Sequence, residues 1–200
     1  MGIVTCQISV SLDGYMAGPN QSVEDPLGEG GERLHEWAFA DDADPVDRDV
    51  RDHQLDGNGA YILGRNMFGP IRGAWEGDWR GWWGEDPPYH TPVFVLTHYA
   101  REPLEMEGGT TFHFVTGGVE AALEQARAAA GERNVAIGGG ASTLQQCFRA
   151  GAIDEILLHV VPITLGGGER LFEDVGDLRM EAVEVVGSRA ATHVRYRVAR

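Results

Sequence analysis

The sequence predicts an α/β fold with a mainly parallel sheet that ends in an antiparallel hairpin. Two observations carry this. Apolar, β-rich runs alternate with helical segments through the middle of the chain, the pattern of strands joined by crossovers. The last two β-rich runs, 180–188 and 192–200, alternate apolar and polar residues and follow each other across a short turn. No repeat and no long linker interrupts the 200 residues, so one domain over 1–200 is expected.

The elements follow in order. "IVTCQISVSLDG" (3–14) is a strand closed by an Asp-Gly turn signal. The Gly-, Pro- and Asn-bearing stretch 15–32 reads as a loop, and 33–40 as a short helix. The acidic stretch 41–56 reads as a surface helix entered at Pro45, a residue preorganised for the first helical position. "GAYILG" (59–64) is a strand, 65–71 a helical turn or loop, and the Trp-rich stretch 75–90 irregular. Strands are expected at 91–98, 110–116, 134–138 and 153–163. Helices are expected at 118–132, with Val119, Ala122, Leu123 and Ala126 on one face, and at 141–151. Gly131 and Gly151 are their stops.

Composition excludes several classes. Formal net charge is −15, and all 16 basic residues are arginine. An acidic chain without an Arg cluster repels nucleic acid and anionic membranes. Without lysine there is no Schiff-base chemistry, so an anion must be held by Arg, His or backbone N–H groups. The seven histidines are scattered and "HEWAF" lacks the second zinc-binding histidine, so no metal is expected. Cys6 and Cys147 read as buried thiols of a reducing compartment. With no secretory leader and no apolar run near the ~20 residues that span a bilayer, a cytoplasmic location is expected.

The most informative stretch is "VAIGGGASTLQQ" (135–146), where a strand passes through Gly138, Gly139 and Gly140 into a helix. The first N–H groups of a helix have no internal partner, and the helix dipole adds positive charge there. Bare backbone lets a phosphate approach. The dinucleotide fingerprint is not met, because Thr143 stands where its third Gly belongs, and no P-loop Gly-Lys-Ser/Thr follows. A tight turn is the alternative. Two further strand ends favour a nucleotide. One presents Gly64 and Arg65; the other presents Thr97 and His98. Ligands of open α/β sheets bind outside the carboxyl ends of strands.

The chain resembles the dihydrofolate reductase superfamily, and within it the C-terminal reductase domain of the bifunctional riboflavin-biosynthesis protein. The matching pieces are "SVSLDGYMAG", "LGRNMF", "FVLTH", "AIGGGASTLQQ", "AGAIDEILLHVVPITLGGGERLF" and the closing hairpin, in order and over nearly the whole chain. The resemblance implies a three-layer fold: a mixed, mostly parallel central sheet of eight or nine strands, an antiparallel C-terminal hairpin and helices on both faces. It implies NADPH as cofactor and hydride transfer. Gly138, Gly139, Gly140, Ala141, Ser142 and Thr143 match the pyrophosphate turn. Gly64, Arg65, Asn66 and Met67 match the Gly-basic helix start near the 2′-phosphate and pyrophosphate. Thr97 and His98 match the adenosine side. Asp13 and Ala17 match the turn bordering the nicotinamide, and Leu165 and Gly166 a second glycine turn near it. Arg65, with His98, fits a 2′-phosphate and so favours NADPH over NADH.

Departures bear on the substrate. Met67 stands where the family has a threonine, and Tyr15 where the riboflavin branch has a basic residue. No residue matches the folate-binding carboxylate. Asp13 is the candidate catalytic residue, orienting or protonating substrate, with a turn-forming role as the alternative. Trp75, Trp79, Trp82 and Trp83 form a lid, an interface or core packing. His159 reads as a hydrogen-bonded core histidine, and 41–56 as a solvated face. The expected protein is an NADPH-dependent reductase of a small heterocyclic or carbonyl compound, similar to 5-amino-6-(5-phosphoribosylamino)uracil reductase or dihydrofolate reductase. A homodimer is expected. The alternative is a nucleotide-binding protein of the same fold without turnover.

Overall fold

The computed structural model describes residues 2–69 and 73–199. In chain order its elements are β1 (Val4–Ser11), β2 (Tyr15–Ala17), α1 (Glu36–Phe39), α2 (Pro45–Asp52), β3 (Asn58–Gly64), α3 (Arg65–Phe68), β4 (Pro92–Leu96), β5 (Leu104–Glu105), β6 (Thr111–Val115), α4 (Gly118–Ala130), β7 (Asn134–Gly139), α5 (Ala141–Arg149), β8 (Glu155–Val161), β9 (Glu169–Arg170), β10 (Met180–Gly187) and β11 (Thr192–Val198). A 3₁₀ turn, Gly31–His35, leads into α1. The mixed, mostly parallel sheet and the closing antiparallel hairpin are those the sequence predicts.

Two compact units share the chain. One takes residues up to Thr5 with Gly57–Ala152, the other Cys6–Asp56 with the segment from Ile153 on. No shift in composition marks the crossings.

In the first unit β7, β3, β4, β6 and β5 lie side by side in that order. The pairs β3–β7, β3–β4 and β4–β6 are parallel, so the carboxyl ends of β7, β3, β4 and β6 share one edge. Buried parallel strands need apolar residues on both faces. "YILG" and "VFV" supply them: Ile62, Val93 and Val95 are fully buried. Each such side chain contributes about 1.5–3 kcal/mol. Helix α4 packs Val119, Ala122, Leu123, Ala126 and Ala130 inward, the stripe its spacing predicts, and ends at Gly131 with φ +64°. The 65–71 turn is α3 over its first four residues; residues 70 and 71 lie outside those described.

In the second unit β10, β11 and β8 are antiparallel neighbours, with β1 beside β8. Leu34, Trp37 and Ala38 bury against Val161 and Ala191. The Asp44 carboxylate caps α2 by accepting from the Val46 amide at 2.9 Å, with Pro45 at the first helical position. Two expectations change here. The loop at 15–32 contains β2, which pairs antiparallel with β9 through Tyr15↔Arg170 and Ala17↔Glu169. Strands β5, β9 and β2 have two or three residues each, too few for a period to show. The acidic stretch is not wholly solvated: Asp47 is completely buried because a histidine waits for it inside.

Cys6 and Cys147 are both buried and are not joined in a disulfide. Burial, with the Glu120 charge, pushes the Cys147 thiol up to about 12, so it is inert as a nucleophile.

Candidate functional site

The glycine turn of the first unit is built from close approaches. A Cβ on Gly138 would stand 2.6 Å from Leu63 Cδ2, and one on Gly64 2.6 Å from the Thr143 hydroxyl. Gly139 adopts φ +111°, a region side chains avoid, and its peptide bond to Gly140 is cis. Packing and backbone therefore account for these three glycines. Gly140 differs. It has φ −80°, and a Cβ there would meet nothing within 4 Å. Neither packing nor a left-handed conformation demands glycine at this N-cap. Its carbonyl accepts from the Thr143 and Leu144 amides at 3.1 Å each, which leaves the Ala141 and Ser142 amides as the unpaired start of α5. Ser142 is exposed, and its hydroxyl and carbonyl accept from the Gln146 side-chain amide at 3.3 and 3.0 Å. The open side of Gly140 and these two amides fit an anionic phosphate.

The second and third strand ends stand beside each other, since Gly64 pairs with Leu96 in register. Arg65 reaches from one to the other. Its guanidinium donates to the Thr97 hydroxyl at 2.8 Å and the Gly73 carbonyl at 3.0 Å, and lies 3.3 Å above the Trp75 ring centre. Thr97 also accepts from the Tyr99 amide at 3.2 Å. His98 is exposed. Asn66 is exposed, and its carbonyl accepts from Trp82 Nε1 at 3.0 Å; Met67 is half-buried.

Three indoles of the Trp-rich segment are fastened to backbone. Trp75 donates to the Tyr99 carbonyl at 2.8 Å, Trp79 to Phe68 at 2.9 Å, and Trp82 to Asn66. Of the three roles considered, packing beneath the loop describes them best. Trp75 adds a stacking face for Arg65.

Sequence reasoning missed Arg101. Its guanidinium lies 5.1 Å from Trp75, 5.2 Å from Phe114 and 5.6 Å from Phe68, measured to ring centres. Burial first, and then the Arg80 charge, lower its pKa. Among the described residues no carboxylate lies within ion-pair distance of it, whereas Arg51, Arg80, Arg195 and Arg197 each have one. The same strand-end argument, carried four residues beyond Thr97, would have found it.

The second unit holds Asp13, Ala17, Leu165 and Gly166. Asp13 accepts from the Ser11 hydroxyl at 2.6 Å, the Leu165 amide at 3.1 Å and the Gly166 amide at 2.8 Å. The Ser11 bond most of all, helped by the two amides and opposed by desolvation, holds its pKa down to about 2. Such a carboxylate is ionised at neutral pH and has no proton to give. Of the two chemical roles weighed for Asp13, orientation is the one its geometry allows. The Leu165 and Gly166 amides are both committed to Asp13. Ala17 is buried. Arg170, also missed, crosses from β9, donates to the Asp13 carbonyl at 3.1 Å and the Tyr15 hydroxyl at 2.8 Å, and covers the Tyr15 ring at 4.3 Å. A cation therefore stands beside the position where the sequence showed only the loss of one.

His159 is the hydrogen-bonded core histidine expected. Its Nδ1 lies 2.7 Å from Nδ1 of His193, whose Nε2 lies 2.8 Å from the Asp47 carboxylate. Trp37 lies against both rings, tilted over His159 at 4.4 Å and edge-on to His193 at 4.8 Å.

The mixed α/β sheet has the dihydrofolate-reductase-like fold. The chain belongs to the RibD C-terminal domain family, whose model matches residues 3–193. Among solved structures it is similar to a riboflavin-biosynthesis candidate from Shewanella sp. PV-4, at 22% identity and TM-score 0.68, over 99% of each chain. It is also similar to dihydrofolate reductase from Enterococcus faecalis complexed with NADP(H), at 17% identity and TM-score 0.58, over 100% of this chain and 98% of the other. Acinetobacter baumannii RibD matches at 16% identity and TM-score 0.60, over 100% of this chain and 58% of the other. No curated protein matches.

Proposed function

We propose that this reductase-family chain binds NADPH and reduces a small heterocyclic or carbonyl compound. The observation that carries the reading is Gly140: an N-cap glycine that neither packing nor φ requires, with room on its open side and two helix-start amides next to it. Gly138 to Thr143 would hold the diphosphate. Gly64, Arg65, Asn66, Met67, Thr97 and His98 would hold the adenosine end, with Arg101 as an added cation. Ala17, Leu165 and Gly166 would border the nicotinamide.

The coenzyme supplies the hydride. The chain's own residues bind and orient. Arg65, fixed on Trp75 and Thr97, offers a preorganised guanidinium, which lowers the ordering cost of anion binding. Asp13 locks the Leu165–Gly166 turn to the end of β1. It does not protonate the substrate. Tyr15, with Arg170 donating to its oxygen, keeps a phenolic proton directed elsewhere.

Calorimetric titration with NADPH and NADP⁺ tests the reading. Micromolar binding is expected, and a flat titration at millimolar coenzyme removes it. Oxidation of NADPH with pterins and pyrimidine ribityl phosphates then separates a reductase from a binding protein without turnover. A cytoplasmic homodimer is part of the same proposal, and sedimentation checks the dimer.

A further inference from the structure

Helix α2 is an unusual structural element. Its sequence, "PVDRDVRD", carries three aspartates and two arginines, and its one buried residue is a carboxylate, Asp47. Val50 is only partly buried against the Leu34–Trp37 cluster. No apolar residue of this helix is fully buried, and polar contacts add to its hold: Asp47 to His193 at 2.8 Å, Arg48 to the Ala43 carbonyl at 2.6 Å and Arg51 to the Ala38 carbonyl at 3.0 Å. Only the first reaches the sheet.

Beneath Asp47 the chain of contacts continues. His193 on β11 and His159 on β8 are directly opposed in register and meet Nδ1 to Nδ1 at 2.7 Å. All three groups are buried, at 0%, 1% and 2% exposure. A hydrogen bond between two imidazole nitrogens needs one hydrogen. If both rings were doubly protonated, two N–H groups would face each other at that distance and the contact would fail. Protonation of Asp47 likewise removes the charge that strengthens its bond to His193. The fastening therefore holds only while the trio carries less than its full set of protons, whichever tautomers it uses.

We propose that Asp47, His193 and His159 form an acid-released latch that docks α2, and through it α1, onto the β8–β11 sheet. The groups around the latch agree. His35, on the 3₁₀ turn, adds positive charge toward His159 when protonated. Arg48 and Arg51 of α2 turn to the Ala43 and Ala38 carbonyls, and Glu184 on β10 is taken by Arg195 at 3.0 Å. None of these acids or bases replaces Asp47. Burial, the His193 charge and the His35 charge hold the His159 pKa down to about 3, so the closed latch resists its own protonation. Release relieves that resistance, and proton uptake then drives the open form.

Trp37 reports the event directly. It packs against both histidines, donates to the Ser9 hydroxyl at 3.0 Å, and is the one tryptophan of its unit. The test is NMR on the full chain with ¹⁵N-labelled histidine and tryptophan, from pH 8 down to pH 5, together with amide exchange corrected for its intrinsic pH dependence. At pH 8 we expect through-bond coupling between the two Nδ1 nitrogens. On acidification that coupling, the Trp37 indole signal and the protection of residues 46–52 should be lost together. Each proton taken up raises the open fraction by up to about tenfold per pH unit. The Trp79 and Trp82 indole signals of the other unit should persist. A His159→Gln/His193→Gln chain should show no pH-dependent release. Two results would overturn the latch: protection of 46–52 that stays constant while the rings titrate, or rings unchanged down to the pH at which the Trp79 and Trp82 signals collapse.

Discussion

Gly64 and Thr143 approach so closely that a single methyl group on Gly64 would stand 2.6 Å from the Thr143 hydroxyl and 3.1 Å from the Gly140 amide. The end of β3 and the start of α5 therefore set each other's position, and the glycine turn has little freedom to shift. Gly64→Ala should destabilise the chain by about 1–3 kcal/mol, the usual cost of overpacking. Urea unfolding measures it. A change under 0.5 kcal/mol would show that the turn is softer than the geometry indicates.

Gly140→Ala makes the opposite test. Space is open there and φ is −80°, so stability should change by about 1 kcal/mol or less. Coenzyme affinity should nevertheless fall at least tenfold, because the methyl group occupies the approach to the Ala141 and Ser142 amides. Melting temperature and calorimetry on one sample separate the two effects.

Arg101 makes no contact ion pair among the described residues, although the Asp78 charge reaches it, while Arg65 is already engaged with Thr97 and Gly73. Arg101→Gln should narrow the preference for NADPH over NADH by about tenfold or more, the value of one charge-assisted contact. NADH affinity should barely move. Equal losses for both coenzymes would assign Arg101 to general packing.

Asp13 titrates near 2 against an ordinary 3.8, so it binds fewer protons folded than unfolded. Its contribution to stability is complete above the ordinary value and is lost as pH falls through the folded one. Ser11→Ala removes the largest cause and should move the Asp13 titration back toward 3.8, visible in its carboxyl ¹³C shift. An unmoved titration would show that the Leu165 and Gly166 amides suffice.

His159 runs by the corresponding rule for a base. Burial keeps it neutral in the fold to about 3, while the unfolded chain protonates near 6.5. Stability is therefore complete above 6.5 and falls progressively between 6.5 and 3. Urea midpoints should drop between pH 8 and pH 5, and His159→Gln should flatten that drop. A parallel slope in the variant would place the pH dependence elsewhere.

Much of this was legible in the residues. The 3.6-residue stripe of α4 and the apolar runs of β3 and β4 specify their elements, because a helix buries one face at every third to fourth residue and a central parallel strand buries both of its faces. The glycine turn announced itself through three side chains' absence. What stayed hidden depends on partners distant in sequence. Asp47 looks like any surface aspartate until His193 is brought to it from 146 positions away. Arg170 gives no signal until β9 places it across Tyr15. Asp13 reads as an orienting or protonating group or as a turn former, and its bonds to the distant Leu165 and Gly166 amides give no signal in the sequence.

The bond from Leu165 to Asp13 joins residues 152 positions apart, and the unit that contains it is made of two separate stretches of chain. The other unit is almost wholly the continuous run Gly57–Ala152. During synthesis the middle of the protein is therefore complete while the Asp13 carboxylate still waits for its amides. A nascent chain stalled just after Ala152 has cleared the ribosome exit tunnel should already protect the central strands from protease and leave the segment Cys6–Asp56 cleavable.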